Sequence, residues 1–273
     1  MNKNVRFILA LIRRFKEDEV SILSSQLAYS LLLSSIPFLI FLLTLVGYTP
    51  ISSNEVMDYL KGIMPREALE LLDKTVAEVV DVKNGNLLSF SLIATIWAAT
   101  GGIKAVMRCL NKAYDEVESR GFIKVQVLSI VFTVGMVLVM FFTIILLVFG
   151  NVIGDYLVNR FGFERAFKYS WNMLRFLIMV FVMIVIFIAV YYFLPSRRLK
   201  CKEVISGALF SAGGWIISSM AFSYYVDNFA NYSRLYGGIA AVFILMAWIY
   251  LSSMILMIGG EINAALALDM KNK

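Results

Sequence analysis

The residues of this chain best suited to chemistry are ionisable side chains inside or beside long apolar stretches. Lys104, Arg108 and Lys112 stand four residues apart, so on a helix they share one face. At a membrane surface such a cationic stripe attracts anionic lipid headgroups, by about 1 kcal/mol for each Lys or Arg. The alternative is that these residues only set the orientation of the chain in the membrane.

Two more charged residues fall within apolar stretches, where an unpaired charge is costly. Glu261 belongs to the Gly-Gly-Glu-Ile-Asn-Ala-Ala segment at 259–265. We predict that it pairs with Lys104 or Arg108, either to fix helix register or as part of a proton or headgroup site. Arg175 is expected to reach outwards to the membrane surface, or else to bind a lipid phosphate.

Proline and paired glycines mark positions of helix breaks or of close helix packing. Pro37 lies in the first apolar stretch, where it removes one backbone hydrogen bond and predicts a bend. Gly101 and Gly102 lie in the second stretch, and Gly213 and Gly214 lie in the fifth. Small residues let helices approach closely, so the fifth stretch is expected to be central. Breaks at matching places in two halves are also typical of inverted-repeat transporters, and the sequence leaves that alternative open.

The chain lacks the residue types of the common catalytic and metal sites. It contains no His, which excludes His-activated nucleophiles and His-containing zinc or iron sites. No Walker-type phosphate loop, Gly-x-Ser-x-Gly elbow or EF-hand calcium loop occurs in the sequence. We therefore predict a protein that is not an enzyme and that needs no cofactor and no metal.

The elements that must position these residues are six long apolar stretches. Hydrophobic residues make up 60% of the chain and charged residues 16%, against about 45–50% and about 25% in soluble domains. A spanning helix needs about 20 mostly apolar residues. The sequence therefore predicts an all-α membrane protein, one domain over 1–273, whose six transmembrane helices lie near 22–48, 87–103, 125–150, 172–194, 204–226 and 236–268. Apolar spacing also predicts an amphipathic interfacial helix over 4–20 and amphipathic external helices over 52–82.

The positive charges are distributed unequally between the two sides of the membrane. Sixteen of the 25 Lys and Arg residues lie in the terminal segments and in the loops that share their side, and eight lie in the opposite loops. By the positive-inside rule, both termini are predicted to be cytoplasmic. Cys109 and Cys201 then face a reducing compartment, and no structural disulfide is expected. Because the net charge of +6 is placed at the membrane edges, no nucleic-acid partner is expected.

Several short segments stand in an order that is typical of one family. They are Gln-Leu-Ala-Tyr at 26–29, Ser-Ser-Ile-Pro at 34–37, Trp-Ala-Ala-Thr-Gly-Gly at 97–102, Asn-Lys-Ala-Tyr-Asp at 111–115, Tyr-Gly-Gly at 236–238 and Gly-Glu-Ile-Asn-Ala-Ala at 260–265. Together they resemble the YihY/BrkB family over nearly the whole chain. The resemblance implies a bacterial inner-membrane protein associated with envelope integrity, for which lipid or solute movement has been suggested. Members were long labelled ribonuclease BN, but the lack of His and of a clustered metal site argues against that activity here.

The sequence and the resemblance together favour a transporter-like protein that binds or moves a lipid-like or anionic envelope component. Its expected partners are membrane lipids, including an anionic lipid or envelope precursor, and its oligomeric state is left open. Lys104, Arg108 and Glu261 would form its site with the bent first helix and the Gly-rich second and fifth helices. A cavity between the first, second, fifth and sixth helices would favour this function. A dry bundle would favour a non-transporting scaffold or assembly factor, and a membrane-bound hydrolase is the less favoured alternative.

Overall fold

The structure, a computed structural model, describes residues 3–48, 52–54, 57, 76–78, 80–81, 85–139, 164–229 and 238–271. In these residues the backbone forms α-helices and no β-strand, so the predicted all-α class is confirmed. The long helices are α1 (Lys3–Glu17), α2 (Val20–Val46), α3 (Gly85–Ala113), α4 (Phe122–Val139), α5 (Glu164–Phe193), α6 (Cys201–Phe229) and α7 (Gly238–Lys271).

Six of these helices, α2 to α7, are long and apolar enough to cross a membrane. They correspond in order to the six predicted spans, so the six-span architecture is confirmed. Helices form here because backbone N–H and C=O groups in a bilayer must be satisfied within the chain. α3 continues past the predicted end of its span to Ala113, since no Pro or Gly interrupts 103–113. The predicted continuation of the third span over 140–150 lies outside the described residues.

The helices are not broken at the proline or at the paired glycines. α2 is a continuous helix through Pro37, α3 continues through Gly101 and Gly102, and α6 continues through Gly213 and Gly214. In lipid, a broken helix would leave backbone polar groups without partners, which favours an unbroken ladder over the local preference of glycine. The interrupted helices on which the inverted-repeat alternative depended are therefore not observed at these positions.

α7 is the central helix of the described bundle, because it packs against α6, α2, α3 and α1, whereas α6 packs chiefly against α7 and α5. The expectation that the fifth span would be central is therefore wrong. The close approach depends on glycines of α7. A methyl group added at Gly259 would overlap the side chains of Ser211 and Tyr191, and one added at Gly260 would lie 2.7 Å from a δ-carbon of Leu110.

A buried tyrosine joins three of the helices at this crossing. The hydroxyl of Tyr191 on α5 lies 2.6 Å from the hydroxyl oxygen of Ser211 on α6, and it donates to the carbonyl oxygen of Leu256 on α7 at 2.7 Å. Because a polar group among apolar side chains is costly when it is unpaired, these bonds orient the three helices as well as stabilising them.

A Tyr191→Phe variant is expected to lose about 1–2 kcal/mol of stability, because Ser211 and Leu256 lose a buried hydrogen-bond partner while the ring is kept. The measurement is thermal unfolding of the purified protein in detergent. The matched control is Tyr192→Phe, since the described contact of Tyr192 is made by its ring, which packs edge-on against Phe193 with centroids 4.7 Å apart. Equal melting temperatures for the two variants would contradict the prediction.

α1 lies across one end of the bundle against α7 and α2, and we call this the α1 end. Its apolar side chains Ile8, Leu9 and Ile12 are each more than half exposed to the surroundings. Such an exposed apolar face is suited to the boundary between headgroups and acyl chains. The observed helix, Lys3–Glu17, matches the predicted interfacial helix in position, and Glu19 then turns the chain into α2 with a left-handed φ of 51°.

The connection between α3 and α4 is held by a network of charged and polar side chains. Asp115 adopts a left-handed φ of 54°, and the amide of Glu116 donates to the carbonyl of Asn111 at 2.9 Å, which closes the end of α3. Arg120 binds the carboxylate of Glu118 and donates to the carbonyl of Leu194 after α5 at 2.7 Å. Hydrogen bonds from Arg120 lower the pKa of Glu118.

The external helices predicted over 52–82 lie mostly outside the described residues. The described part includes a helical segment at 76–78 and a contact between the two ends of the region. There the hydroxyl of Ser53 donates to the carboxylate of Asp81 at 2.6 Å, and the Ser53 amide donates to the same group at 3.1 Å.

Candidate functional site

A groove of about 490 Å³ lies between α2, α3 and α4. α2 contributes Ser30, Leu33 and Pro37, and α3 contributes Trp97 and Lys104 among other residues. Its lining is mostly apolar. Trp97 is 78% exposed and Leu33 is 48% exposed, so the groove faces outwards from the bundle. Sites that take small ligands have volumes of about 300–1,000 Å³, a range that includes this groove.

The floor of the groove is one face of α3 on which a glycine leaves space. Trp97, Gly101 and Lys104 are separated by four and three residues, so they lie above one another on the helix. A methyl group added at Gly101 would meet no heavy atom of the described residues within 4 Å. The predicted close-packing role of Gly101 is therefore wrong, because this glycine borders open space in the groove.

The other three glycines also differ in whether a neighbouring helix packs against them. Among the described residues, nothing lies within 4 Å of a methyl group added at Gly213, so these residues give it no packing role. A methyl group at Gly102 would lie 3.1 Å from a δ-carbon of Leu31. At Gly214 it would lie 3.3 Å from a γ-carbon of Ile255. In each pair the second glycine faces a neighbouring helix, and the first points about 100° away around its own helix, which is the angular step between adjacent residues.

Lys104 places a positive charge at the end of the groove nearer the α1 end. Its ammonium donates to the amide oxygen of Gln126 on α4 at 2.5 Å and lies 5.4 Å from the ring centroid of Phe122. Since an ammonium has three donors, Gln126 uses one of them. Lys104 stands about 14 Å along α3 from its last residue, Ala113, at a rise of 1.5 Å per residue. The groove thus combines an apolar trough with one cation at its end.

The three cations of the predicted stripe have different surroundings. Lys104 lines the groove, Arg108 is exposed and does not line it, and the Lys112 ammonium lies 3.9 Å from the carboxylate of Asp18. Residues four apart drift by about 40° at each step around a helix of 3.6 residues per turn. The stripe is therefore too twisted to form one site, and Lys104 alone of the three belongs to the groove.

Glu261 pairs with Arg14 of α1, so the predicted pairing with Lys104 or Arg108 is wrong. The Arg14 Nε donates to Oε2 of Glu261 at 2.8 Å, and the Glu261 side chain is only 1% exposed. The physical reason is the position of α1, which crosses the end of α7 and brings an arginine to the carboxylate, while Lys104 is turned towards α4.

Arg14 binds several groups besides Glu261, and together they form what we call the Arg14 cluster: Arg14, Asp18, Lys112, Asp115 and Glu261. The guanidinium lies 3.6 Å from Asp18 and 3.7 Å from Asp115, and it also donates to the carbonyl of Ala113. Burial lowers the pKa of Arg14, but its interactions with Glu261, Asp18 and Asp115 outweigh burial and raise that pKa above its ordinary value. Arg14 therefore remains a cation and fastens α1 to α3 and α7.

Arg175 does not reach outwards as expected. It lies on α5 and is 8% exposed, so the protein itself covers its side chain. A snorkelling arginine keeps its charged head in water, whereas this side chain is covered by protein. The cavity predicted between the first, second, fifth and sixth spans also differs from the observed groove, which involves the first, second and third spans.

Sequence reasoning missed Arg14, Asp18 and Gln126. Arg14 and Asp18 are four residues apart, a spacing that signals a pair on a single helix but names no third partner. The contact to Glu261 joins residues separated by 247 positions, and hydropathy carries no information about such a pair. Gln126 could have been noticed as an amide inside an apolar stretch, where a polar side chain needs a partner.

Comparisons with known proteins relate this chain to bacterial membrane proteins. The family model described as virulence factor BrkB matches residues 11–273. Ribonuclease-like protein YfkH of Bacillus subtilis (strain 168) is 40% identical over 260 residues, which cover 95% of this chain and 94% of that protein. A UPF0761 membrane protein of Aggregatibacter aphrophilus (strain NJ8700) is 25% identical over 260 residues, covering 93% of this chain and 90% of that protein. No solved structure matches the chain.

Proposed function

The chain belongs to the virulence factor BrkB family of multi-pass membrane proteins, and we propose that it binds or moves a lipid-like, anionic envelope component through the groove between α2, α3 and α4. The observation that supports this proposal is the combination of an apolar, outward-facing trough with Lys104 at its end. Such a shape suits a ligand with an acyl chain and an anionic headgroup. The trough would receive the chain, and the ammonium would attract the headgroup.

The proposed location is the bacterial inner membrane, with both termini in the cytoplasm. Support for this orientation comes from the excess of Lys and Arg in the terminal segments and in the loops on their side. In this orientation the α1 end faces the cytoplasm, and Lys104 lies nearer the cytoplasmic leaflet. The ligand would then enter the groove sideways from that leaflet, since Trp97 and Leu33 leave the groove open towards lipid.

The test is native mass spectrometry of the gently purified protein, with retained lipids counted by class. Gly101→Leu should fill the groove, and Lys104→Gln should remove its charge. The loss of one cation is worth about 1 kcal/mol, so about fivefold less anionic lipid is expected for Lys104→Gln. The matched controls are Gly213→Leu, at a glycine that also borders open space, and Arg108→Gln, at an exposed cation of the same helix.

The groove variants and the controls together distinguish a lipid-binding protein from a non-transporting scaffold. Loss of anionic lipid in the groove variants, with retention in both controls, supports the lipid site and justifies a reconstituted lipid-transfer assay. Equal retention in all five proteins would reject the site and favour a non-transporting envelope scaffold. In the described residues no three His, Cys, Asp or Glu side chains are grouped so that they could hold a metal ion, so nothing observed there supports the hydrolase alternative.

A further inference from the structure

Two buried carboxyl groups share one partly buried guanidinium at the α1 end. Arg14 is hydrogen-bonded to Glu261 at 2.8 Å and lies 3.6 Å from Asp18. The side chain of Asp18 is 8% exposed and that of Glu261 is 1% exposed, so water solvates neither of them well. When two carboxylates occupy one poorly solvated site, their mutual repulsion favours the retention of a proton by the pair.

The second oxygen of Glu261 strengthens this argument. Oε1 is buried and has no hydrogen-bond partner among the described residues, whereas Oε2 accepts from Arg14. An ionised carboxylate has negative charge on both oxygens. A buried oxygen without a donor loses its hydrogen bonds to water and gains none from the protein, so ionisation is costly. A proton on this carboxyl pair removes one of the two negative charges.

The remaining charged neighbours do not supply the missing positive charge. Lys112 lies 3.9 Å from Asp18, but its side chain is 53% exposed and its charge is therefore screened by water. Asp115 lies 3.7 Å from Arg14 and adds a further negative charge to the cluster, at 68% exposure. The Arg14 cluster thus contains two cations and three carboxylates.

Glu17 of α1 adds an exposed negative charge near Asp18. The phenol of Tyr114, at the end of α3, is a further titratable group beside the cluster. It is 2% exposed, its hydroxyl has no hydrogen-bond partner in the described part of the chain, and burial raises its pKa, so it stays neutral. Two further charges act on Tyr114 with opposite signs: Arg197, which precedes α6, and Glu203, in the first turn of α6. They leave the imbalance within the Arg14 cluster unchanged.

We propose that Asp18 and Glu261 form a proton-binding site that holds one exchangeable proton between them. The proton comes from bulk water and binds a carboxylate oxygen, and Arg14 then pairs with the carboxylate that stays ionised. Asp18 is the more exposed of the two, so the proton enters from its side of the pair. Burial raises the pKa of Asp18, Arg14 opposes this, and Asp115 adds to it, with a net rise that agrees with the site. Carboxyl groups that exchange protons inside a membrane protein are characteristic of proton-linked transport.

The experiment is pH-difference infrared spectroscopy of the full chain in lipid, following the C=O stretch of protonated carboxyl groups. The wild type should show a band that disappears as pH rises. Glu261→Gln and Asp18→Asn should each remove or shift this band, because each takes away one member of the pair. The matched control is Glu116→Gln, which alters an exposed carboxylate just after α3 and should leave the band unchanged.

Either of two results would overturn the proposal. One is a wild-type spectrum with no pH-dependent band of this kind, and this result needs no variant to fold. The other is a band that persists unshifted in both Asp18→Asn and Glu261→Gln after each variant has been shown to elute and melt as a folded protein. The proton site is independent of the groove, so its failure would leave the lipid proposal standing.

Discussion

Replacing Arg14 by Ala is expected to destabilise the protein by about 3 kcal/mol, which is near the lower end for breaking a buried ion pair. The change leaves Glu261, at 1% exposure, without the hydrogen bond that holds it, and it removes the contacts to Asp18 and to the carbonyl of Ala113. We place the loss at the lower end because Arg14 is 16% exposed. Protonation of the unpaired Glu261 carboxylate would also reduce the loss of stability. Thermal unfolding in detergent measures the effect.

The neighbouring residue provides a matched control for Arg14. Arg13 makes an ion pair of the same spacing with Glu17, but the two side chains are 77% and 56% exposed. Exposed pairs of this kind contribute little, so Arg13→Ala should leave the melting temperature almost unchanged. A double variant, Arg14→Ala with Glu261→Gln, should be more stable than Arg14→Ala alone because it removes the unpaired charge. Equal melting temperatures for Arg13→Ala and Arg14→Ala would show that the cluster does not fasten α1.

The second large effect is expected at Gly207, where α6 meets α7. A methyl group there would overlap the backbone carbonyl of Gly259 and the side-chain amide of Asn263, whose oxygen accepts from the Gly207 amide at 2.6 Å. Backbone atoms cannot rotate away as a flexible side chain can, so the two helices must separate. Gly207→Ala should therefore lose about 1–3 kcal/mol, a cost typical of overpacking, despite the better helix propensity of alanine.

The control for this prediction is Gly213→Ala on the same helix. Gly213 borders open space, so the added methyl group meets no obstacle in the described residues. Alanine is a better helix former than glycine by up to about 1 kcal/mol, and Gly213→Ala should be neutral or slightly stabilising. Thermal unfolding of both variants in the same detergent gives the comparison. A loss of stability at Gly213 equal to that at Gly207 would mean that glycine content, and not the crossing of α6 with α7, determines the effect.

The secondary structure can be predicted from the sequence because the composition of the sequence implies a lipid environment. Long apolar stretches with few charges can be stable in a bilayer only as helices, which satisfy every backbone polar group internally. Local signals were weaker than this constraint. The Gly213–Gly214 pair leaves a helix break open as an alternative, yet α6 continues through it, as α2 does through Pro37.

The roles of individual polar residues can be predicted from the sequence only in part. The sequence predicts that Glu261 needs a partner, because an unpaired carboxylate in an apolar stretch is costly, and the structure gives it one in Arg14. Its partner was misassigned, because Lys104, Arg108 and Arg14 are all cations predicted on the same side of the membrane. Which of them meets Glu261 depends on how α1 crosses the bundle.

Hydropathy and charge thus suffice for the number, order and helical nature of the spans, because these depend on transfer of each segment from water to lipid. Tertiary packing decides the contacts: Arg14 on Glu261, Gly207 against Gly259, and Gly101 beside an open groove. The physical reason is that burial in lipid depends on the composition of a segment, whereas helix pairing depends on the shape of one face against another. Apolar faces are nearly equivalent to the lipid that surrounds them, so only their detailed fit selects a neighbour.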